Sequence, residues 1–554
     1  MKNMIFTVSS LEKIFPEKTP KLKQKSFSVF QNEKFNFQIA VFPEKELCGV
    51  AIRAESSLAC GIQIRAVEMM PSVLAMKKGE GDKFVINRRK SSGVYPDLLR
   101  PMHEFEILRK KIWSAYWVTA DLGEKNAAPG NYNIEFEITY EENGKRKVFG
   151  KCNFRLEVLP SFLPPLKLDY TCWFHYDCIA REKTCECFSE EYYVSLNAYI
   201  KSAVKHGMNT LYTPLFTPPL DTAVGKERKT VQLVEVSLDK EGNYTFDFAR
   251  LQRFIKNARD LGIRYFEFSH LTTQWGAKFC PKIIVNENGG KKQHFGWHTP
   301  SDGEEYLNFL ETFLKNLFLF CKSEQILDFI RFHISDEPGN GHERRCKTIS
   351  ELIRKYFHSA IIMDALTDRK YLELGIINNP VVATNYADKF YESSQKPAWV
   401  YYCSWQKTNN LSNRFFNMPS VRNRILGTQL YANGASGFLH WGFNFYNSIL
   451  SAYPINPYFI TDAGGGFESG DSYLVYPGNG CVYESIRHEV LYEGFTDHRA
   501  LTLAERILGK ECVIQILKKY RIRNYTVYPK NPLKFLKFRK EINQKISDHI
   551  KKFG

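Results

Sequence analysis

Two carboxylates stand side by side in the segment His333-Ile334-Ser335-Asp336-Glu337-Pro338. They follow the apolar pair Phe329-Ile330 closely, so a short strand runs out into two acids and a proline. Breaking a glycosidic bond takes a proton donor and a group that stabilises an oxocarbenium-like centre, and a pair of acids supplies both. In ordinary retaining enzymes the two acids flank the sugar from different strands. Adjacent acids reach the substrate from nearly the same side, a geometry that suits substrate-assisted chemistry. Glu337 would then protonate the leaving oxygen. Asp336 would orient and polarise a 2-acetamido group whose carbonyl oxygen attacks the anomeric carbon. A donor of this kind must keep its proton near neutrality, and a neighbouring carboxylate helps by like-charge repulsion.

Elements must hold that pair in place. Residues 1–165 read as all-β. Phe35, Phe37, Ile39 and Val41 alternate with polar or small residues, the signature of a half-buried strand. Runs at 132–140 and 146–159 flank Asn143-Gly144 and predict a hairpin. An antiparallel β-sandwich fits this region, closed by Pro160, Pro164 and Pro165. From 166 the rhythm changes. Eight strand candidates follow at 166–174, 208–213, 263–268, 329–334, 360–363, 381–384, 399–402 and 437–441. Helical stretches separate them. Ser189 is positioned to cap one that ends at Gly207, Asp247 to cap one that ends at Gly262, and Ser301 with Glu304 to form a capping box. This alternation predicts a (β/α)8 TIM-like barrel, with a doubly wound open sheet as the alternative. The expected organisation is multidomain β plus α/β: a sandwich over 1–165, a catalytic barrel over 166–510, and a basic helical tail over 511–554.

In such a barrel the site lies where the strands end. Reading just past each strand in turn gives His175 and Asp177, then Thr213, Thr217 and Pro218, then His270 and Trp275, then Asp336 and Glu337. Asp364 follows the fifth strand, Asn385 and Tyr386 the sixth, Ser404 and Trp405 the seventh, and His440, Trp441 and Asn444 the eighth. This mixture of acids, imidazoles, amides and indoles suits a polyol with an apolar ring face.

Composition narrows the field. The 554 residues exceed one ordinary core. Net charge is +16, densest between Lys510 and Lys552. No zinc-finger, RNP or basic-zipper pattern accompanies it, so no nucleic-acid partner is expected, while an anionic substrate stays open. The 13 cysteines lack metal-ligand spacing and read as reduced thiols. The first residues carry no apolar leader, and no run of 18 apolar residues occurs, so a cytoplasmic protein without a membrane span is expected.

At this point the residues become recognisable. The run HISDEP, WFHYD at Trp173 to Asp177 and NRFFNMPSVRNRILGTQLYANGASGFLHWGFNFY resemble glycoside hydrolase family 123, also catalogued as domain of unknown function 4091. So do GGGFESGDSYLVYPG and SIRHEVLYEGFTDHRAL. The resemblance spans roughly residues 166–505, with a β-sandwich before it as in that family. It implies an exo-acting β-N-acetylgalactosaminidase using substrate-assisted catalysis on a glycan or oligosaccharide. By the same resemblance Asp336 is the acetamido-orienting group and Glu337 the acid/base. The acetamido pocket is then aromatic, with Tyr386, Trp405 and Trp441 as candidates, and His175, Asp177 and Asn444 bind hydroxyls. Thr217, His270, Trp275 and Asp364 complete the candidate substrate site. The resemblance implies no metal or cofactor. Two other readings stay open. In one, Glu337 pairs with a distant nucleophile, Asp177 or Asp364, in an ordinary retaining glycosidase. In the other, the barrel binds carbohydrate without cleaving it. The oligomeric state is left open.

Overall fold

The computed structural model describes residues 3–73, 82, 84–86, 93–103, 105–123, 127–367, 369–391 and 399–553. Ten strands between Met4 and Leu159 make two five-stranded sheets. Phe35, Phe37, Ile39 and Val41 join Ile134, Phe136 and Phe154 in one shared apolar core. Phe37 and Phe154 stack there with ring centroids 4.2 Å apart. The strand Lys34–Phe42 is buried along its whole length, not half-buried as its alternation indicates. Its polar face is covered too, for Lys34 and Asn36 both reach Glu489 far along the chain. The hairpin joins Gly130–Glu142 to Lys145–Leu159 through Asn143 (φ 52°) and Gly144 (φ 68°), the left-handed pair a tight hairpin turn requires. One edge departs from the expected antiparallel pattern: Ser26–Phe30 runs parallel to its neighbour Lys145–Leu159.

Eight parallel strands follow: β1 (Asp169–Cys172), β2 (Thr210–Thr213), β3 (Tyr265–Phe268), β4 (Ile330–His333), β5 (Ile362–Leu366), β6 (Asn379–Ala383), β7 (Trp399–Tyr401) and β8 (Gly437–His440). They curl into a nearly closed barrel in the order β1-β8-β7-β6-β5-β4-β3-β2. At the seam between β1 and β2 a side chain does what a ladder does elsewhere. Asn209 Oδ1 accepts from the Tyr170 amide (2.9 Å) and Asn209 Nδ2 donates to the Leu168 carbonyl (3.0 Å).

The surrounding helices are unequal. In α1 (Glu190–Lys205), Ser189 Oγ caps the Tyr192 amide at 3.2 Å, and the chain leaves through Gly207 at φ 89°. Helix α2 (Ala249–Asp260) starts one residue later than Asp247 would cap it, and Asp247 instead accepts from the Ala249 amide. The capping box expected before α3 (Glu304–Ser323) does not form. Gly303 is its first flanking residue, and the Ser301 hydroxyl donates to the Ala277 carbonyl. Helix α4 (Glu343–Tyr356) follows β4. After β5 and β6 the helices shrink to Lys370–Glu373 and Ala387–Tyr391, so strict eightfold alternation fails there. Hairpins from the loops after β2 and β3, unforeseen in the sequence, join as a separate four-stranded sheet.

Helices α5 (Ser420–Ala432), α6 (Ile486–Leu508), α7 (Lys510–Lys519) and α8 (Pro532–Phe553) complete the chain. Helix α6 is buried along most of its length and carries a row of charges into the interior. Arg487 forks onto Asp97 (2.8 and 2.9 Å), and Glu489 takes Lys34 and Arg65 (2.7 and 2.6 Å). Glu493 takes Arg424 (2.8 Å), and Asp497 takes Arg424 and Arg539 (2.8 and 2.9 Å). Arg539 continues to Glu33 at 2.9 Å. The N-terminal sheets, α5 and α8 are all fastened to this one helix.

Candidate active site

Parallel strands deliver all their C-terminal ends to one face of the barrel. A cleft of about 140 Å³ opens there. Trp173 past β1 and Leu439 near the end of β8 lie in its floor. Its walls take Asp221 from the β2 loop, Gln274 and Trp275 from the β3 loop, Asp336 and Glu337 from β4, and Tyr401, Cys403, Ser404 and Trp405 from β7. Trp441 and Phe467 close the β8 side, their rings 5.0 Å apart.

The loops after β3 and β4 stay paired beyond their strands. Thr272 N donates to the Ile334 carbonyl and Trp275 N to that of Asp336, each at 2.9 Å. Hydroxyls add cross-links: Thr272 Oγ1 donates to Ile334 O (2.6 Å) and Ser335 Oγ to Thr273 O (2.8 Å). This frame holds two cleft residues with left-handed backbone, Glu337 (φ 48°) and Trp275 (φ 54°), and Gln274 beside them accepts from the amide of a third, Asp221 (φ 43°). Such conformations cost a non-glycine residue about 1–3 kcal/mol and gather where a side chain must be aimed.

The two acids differ in their surroundings. Glu337 Oε1 accepts from the Tyr401 hydroxyl at 2.8 Å. Asp336 reaches the cleft with one edge, yet burial, then Glu337, then Asp221 hold its carboxyl well above the usual carboxylate range. Behind it Asp364 is fully buried. Its oxygens accept from the amides of Ser335 (3.1 Å) and Ala365 (2.9 Å), and burial and Asp336 raise its carboxyl well above the usual range. Asp221 accepts from the Leu450 amide at 3.0 Å and is pushed up to about 6 by burial, against the pull of Arg228.

Of the twelve residues assigned to the candidate site from the sequence, five meet in the cleft, Asp336, Glu337, Trp275, Trp405 and Trp441, and Ser404, read past the seventh strand, joins them. Trp275 is 52% exposed and Trp405 76%, so both stand at the mouth with ring surface open to solvent. Trp441 is fixed from behind, its indole N–H donating to Asp471 at 3.0 Å. The other seven do not line the cleft. His175 and Asn444 are buried behind Trp441. The Asn444 side chain accepts from the His175 amide (2.9 Å), and His175 Nε2 lies 2.9 Å from the Trp441 carbonyl. Burial, then Arg228, push the His175 imidazole down to about 3, so the neutral ring donates from Nε2 to that carbonyl. Asp177 is clamped by Arg228, whose Nε donates at 2.9 Å; burial pushes its carboxyl up, but the guanidinium prevails and keeps it low. Thr217 Oγ1 accepts from the Val231 amide at 3.0 Å, supporting the β2 loop. His270 lies inside the barrel, its Nδ1 2.8 Å from the Tyr212 hydroxyl. Nearby, Glu267 Oε1 accepts from Trp173 Nε1 (2.7 Å) and from His333 Nε2. Asp364 backs the floor, and Tyr386, half-buried, sits after β6 away from the cleft lining.

Sequence reasoning missed Trp173, Asp221, Tyr401, Gln274, Cys403 and Phe467 as cleft residues. Tyr401 ends β7 and Trp173 follows β1, so a stricter reading of strand ends could have found both. Asp221 comes from a long loop with no local signal, and Phe467 from the run GGGFESGDSYLVYPG, which is recognisable as a block but not as a cleft wall.

The family model described as glycoside hydrolase 123, catalytic domain, matches residues 173–504. A family 123 glycoside hydrolase from Clostridium perfringens, studied for glycolipid glycan hydrolysis, is 16% identical, with a TM-score of 0.75 over 100% of this chain and 99% of its own. A family 5 mannosidase from Rhizomucor miehei is more distant, at 14% identity and TM-score 0.34 over 64% of this chain and 95% of its own. So is a β-galactosidase from Bacillus circulans, at 10% identity and TM-score 0.35 over 61% and 56%. No curated protein matches.

Proposed function

Because the chain belongs to glycoside hydrolase family 123, we propose that it is an exo-acting glycosidase releasing terminal β-linked N-acetylgalactosamine, or a related N-acetylhexosamine, by substrate-assisted retaining catalysis. The observation that carries the reading is that Asp336 and Glu337, adjacent in the chain, both line the cleft at the end of β4. The acetamido N–H donates to Asp336 and so favours its anion, which leaves the acidic proton to Glu337. Tyr401 occupies Glu337 Oε1, so Oε2 is the oxygen that carries this proton to the leaving group. As the glycosidic C–O bond breaks, the acetamido carbonyl oxygen bonds to the anomeric carbon and an oxazolinium forms. Glu337 then takes a proton from the water that opens it, and the configuration is retained. Trp441, Trp173 and Phe467 offer an apolar wall for the acetamido methyl. The relative from Clostridium perfringens, studied for glycolipid glycan hydrolysis, is compatible with such a substrate.

The experiment is a screen of nitrophenyl β-N-acetylgalactosaminide, β-N-acetylglucosaminide and β-galactoside with Glu337→Gln as control. Turnover of the acetamido sugars alone is expected. A plain galactoside cleaved as fast would sink the substrate-assisted mechanism. Glu337→Gln is expected to abolish turnover of poor leaving groups and spare good ones. One observation favours a second reading. Asp177 is clamped by Arg228 and Asp364 by backbone amides, but Asp221 lines the cleft and suits the nucleophile of an ordinary retaining glycosidase. A covalent adduct on Asp221 trapped by a fluorosugar would decide for it.

A further inference from the structure

We propose that the C-terminal helices and the segment joining them form a docking face for a polyanionic glycan, continuous with the lip of the cleft. This deepens the glycosidase reading, on which it rests for what the cleft holds. Residues 510–552 contain thirteen Lys and Arg against three Asp and Glu, a net +10 of the chain's +16. All of the thirteen except Arg539 are exposed. Among the described residues only Lys519 of these twelve is paired with a carboxylate, Glu541 at 2.7 Å. A surface so unbalanced repels itself and attracts an extended polyanion.

Position selects the partner. The joining segment, with Arg521, Arg523 and Lys530, is bonded to the segments after β6 and β7, the second of which carries Trp405 at the cleft mouth. Asn524 Nδ2 donates to Asp388 after β6 (3.0 Å), the Ser412 amide donates to the Tyr525 carbonyl (3.3 Å), and the Tyr528 hydroxyl donates to the Asn410 carbonyl (2.6 Å). Asn410 and Ser412 lie on the same loop as Trp405, at the cleft mouth. A glycan leaving the cleft over Trp405 meets these cations next, and then the exposed lysines of α8. The apolar residues of α8, Phe535, Phe538, Ile542 and Ile546, are buried against the protein, so they cannot enter a bilayer as a membrane-seeking helix would. Apart from the scattered exposed Val527, Leu533 and Phe553, the face offers charge, which sulfate and uronate groups along a glycan match.

The test uses the full chain and labelled chondroitin sulfate as probe, followed by fluorescence anisotropy. Binding is expected to weaken steeply as salt rises from about 50 to about 200 mM, through counterion release. Replacing Lys534, Lys537, Lys540 and Lys545 by Gln is expected to weaken binding at least about tenfold. Turnover of a nitrophenyl glycoside is expected to stay the same in that variant. Equal binding by variant and wild type, or no binding by the wild type at low salt, overturns the proposal. So does tighter binding to phosphatidylcholine–phosphatidylglycerol vesicles or to duplex DNA than to the sulfated glycan. Failure of the glycosidase reading is a separate result, seen as no aryl-glycoside turnover in the wild type whatever the probe does.

Discussion

Tyr401 gives Glu337 its one side-chain partner among the described residues. A hydrogen bond to a charged group is worth about 1.5–3 kcal/mol. Tyr401→Phe is therefore expected to lower kcat by about 10- to 100-fold on substrates with poor leaving groups, and less on activated aryl glycosides. Asp336 makes the opposite kind of prediction. Its carboxyl is raised by burial, Glu337 and Asp221, so the folded protein holds that proton more tightly than the unfolded chain. The resulting stability is fully present below the unfolded value of about 3.9 and is lost as pH rises through the folded value. Asp336→Asn removes that loss. It should melt above wild type at neutral pH, converge with it by about pH 4, and be catalytically impaired throughout. A variant that melts lower at neutral pH would contradict this. At this scale the acids were legible, since two neighbouring carboxylates before a proline are an unusual local pattern. His175, Asp177 and Asn444 were misleading for the same reason. Their types suit sugar hydroxyls, but Arg228 holds Asp177, the Trp441 carbonyl holds His175 and the His175 backbone holds Asn444, and no local sequence reports a partner 50 to 270 residues away.

All eight strands fall within the stretches that the apolar runs marked or overlap them, because strands buried on both faces are mostly apolar whatever they pack against. The helix starts were less legible. The box at Ser301 and Glu304 was lost because the helix begins at Glu304 with Gly303 in the cap position, which leaves Ser301 outside the first turn. Another feature of the helices follows from two glycines. Where α5 crosses α6, a Cβ on Gly427 would stand 1.8 Å from the Gly494 carbonyl oxygen, and a Cβ on Gly494 would stand 2.5 Å from that of Arg424. Backbone meets backbone, and neither helix can yield without disturbing the Arg424 ion pairs. Gly427→Ala should lower stability by about 3 kcal/mol or more, read as a fall in the urea midpoint. An unchanged midpoint would mean the helices can separate freely.

Across the whole molecule, α6 is the fastening rod. Asp497 sits between Arg424 of α5 and Arg539 of α8, all three buried. Asp497→Ala leaves Arg424 with Glu493 alone and Arg539 with Glu33 alone in the interior, a loss of about 3 kcal/mol. Because Arg539 also binds Glu33, the N-terminal sheets and the barrel should lose order in one thermal transition, not two. Two separated transitions would argue that the parts are independent. The sequence showed Arg487, Glu489, Glu493 and Asp497 only as a distinctive block; that they bind distant segments depends on the finished fold. The barrel itself carries a last consequence. Seven of its junctions are backbone ladders, while the junction of β1 with β2 leans on Asn209. That seam is where the cylinder is expected to open most readily, and Trp173 of the cleft floor lies one residue beyond β1. A sugar resting on Trp173 clasps the seam as well, so its arrival should slow amide hydrogen exchange at Tyr170 and leave β5 and β6 exchanging as before.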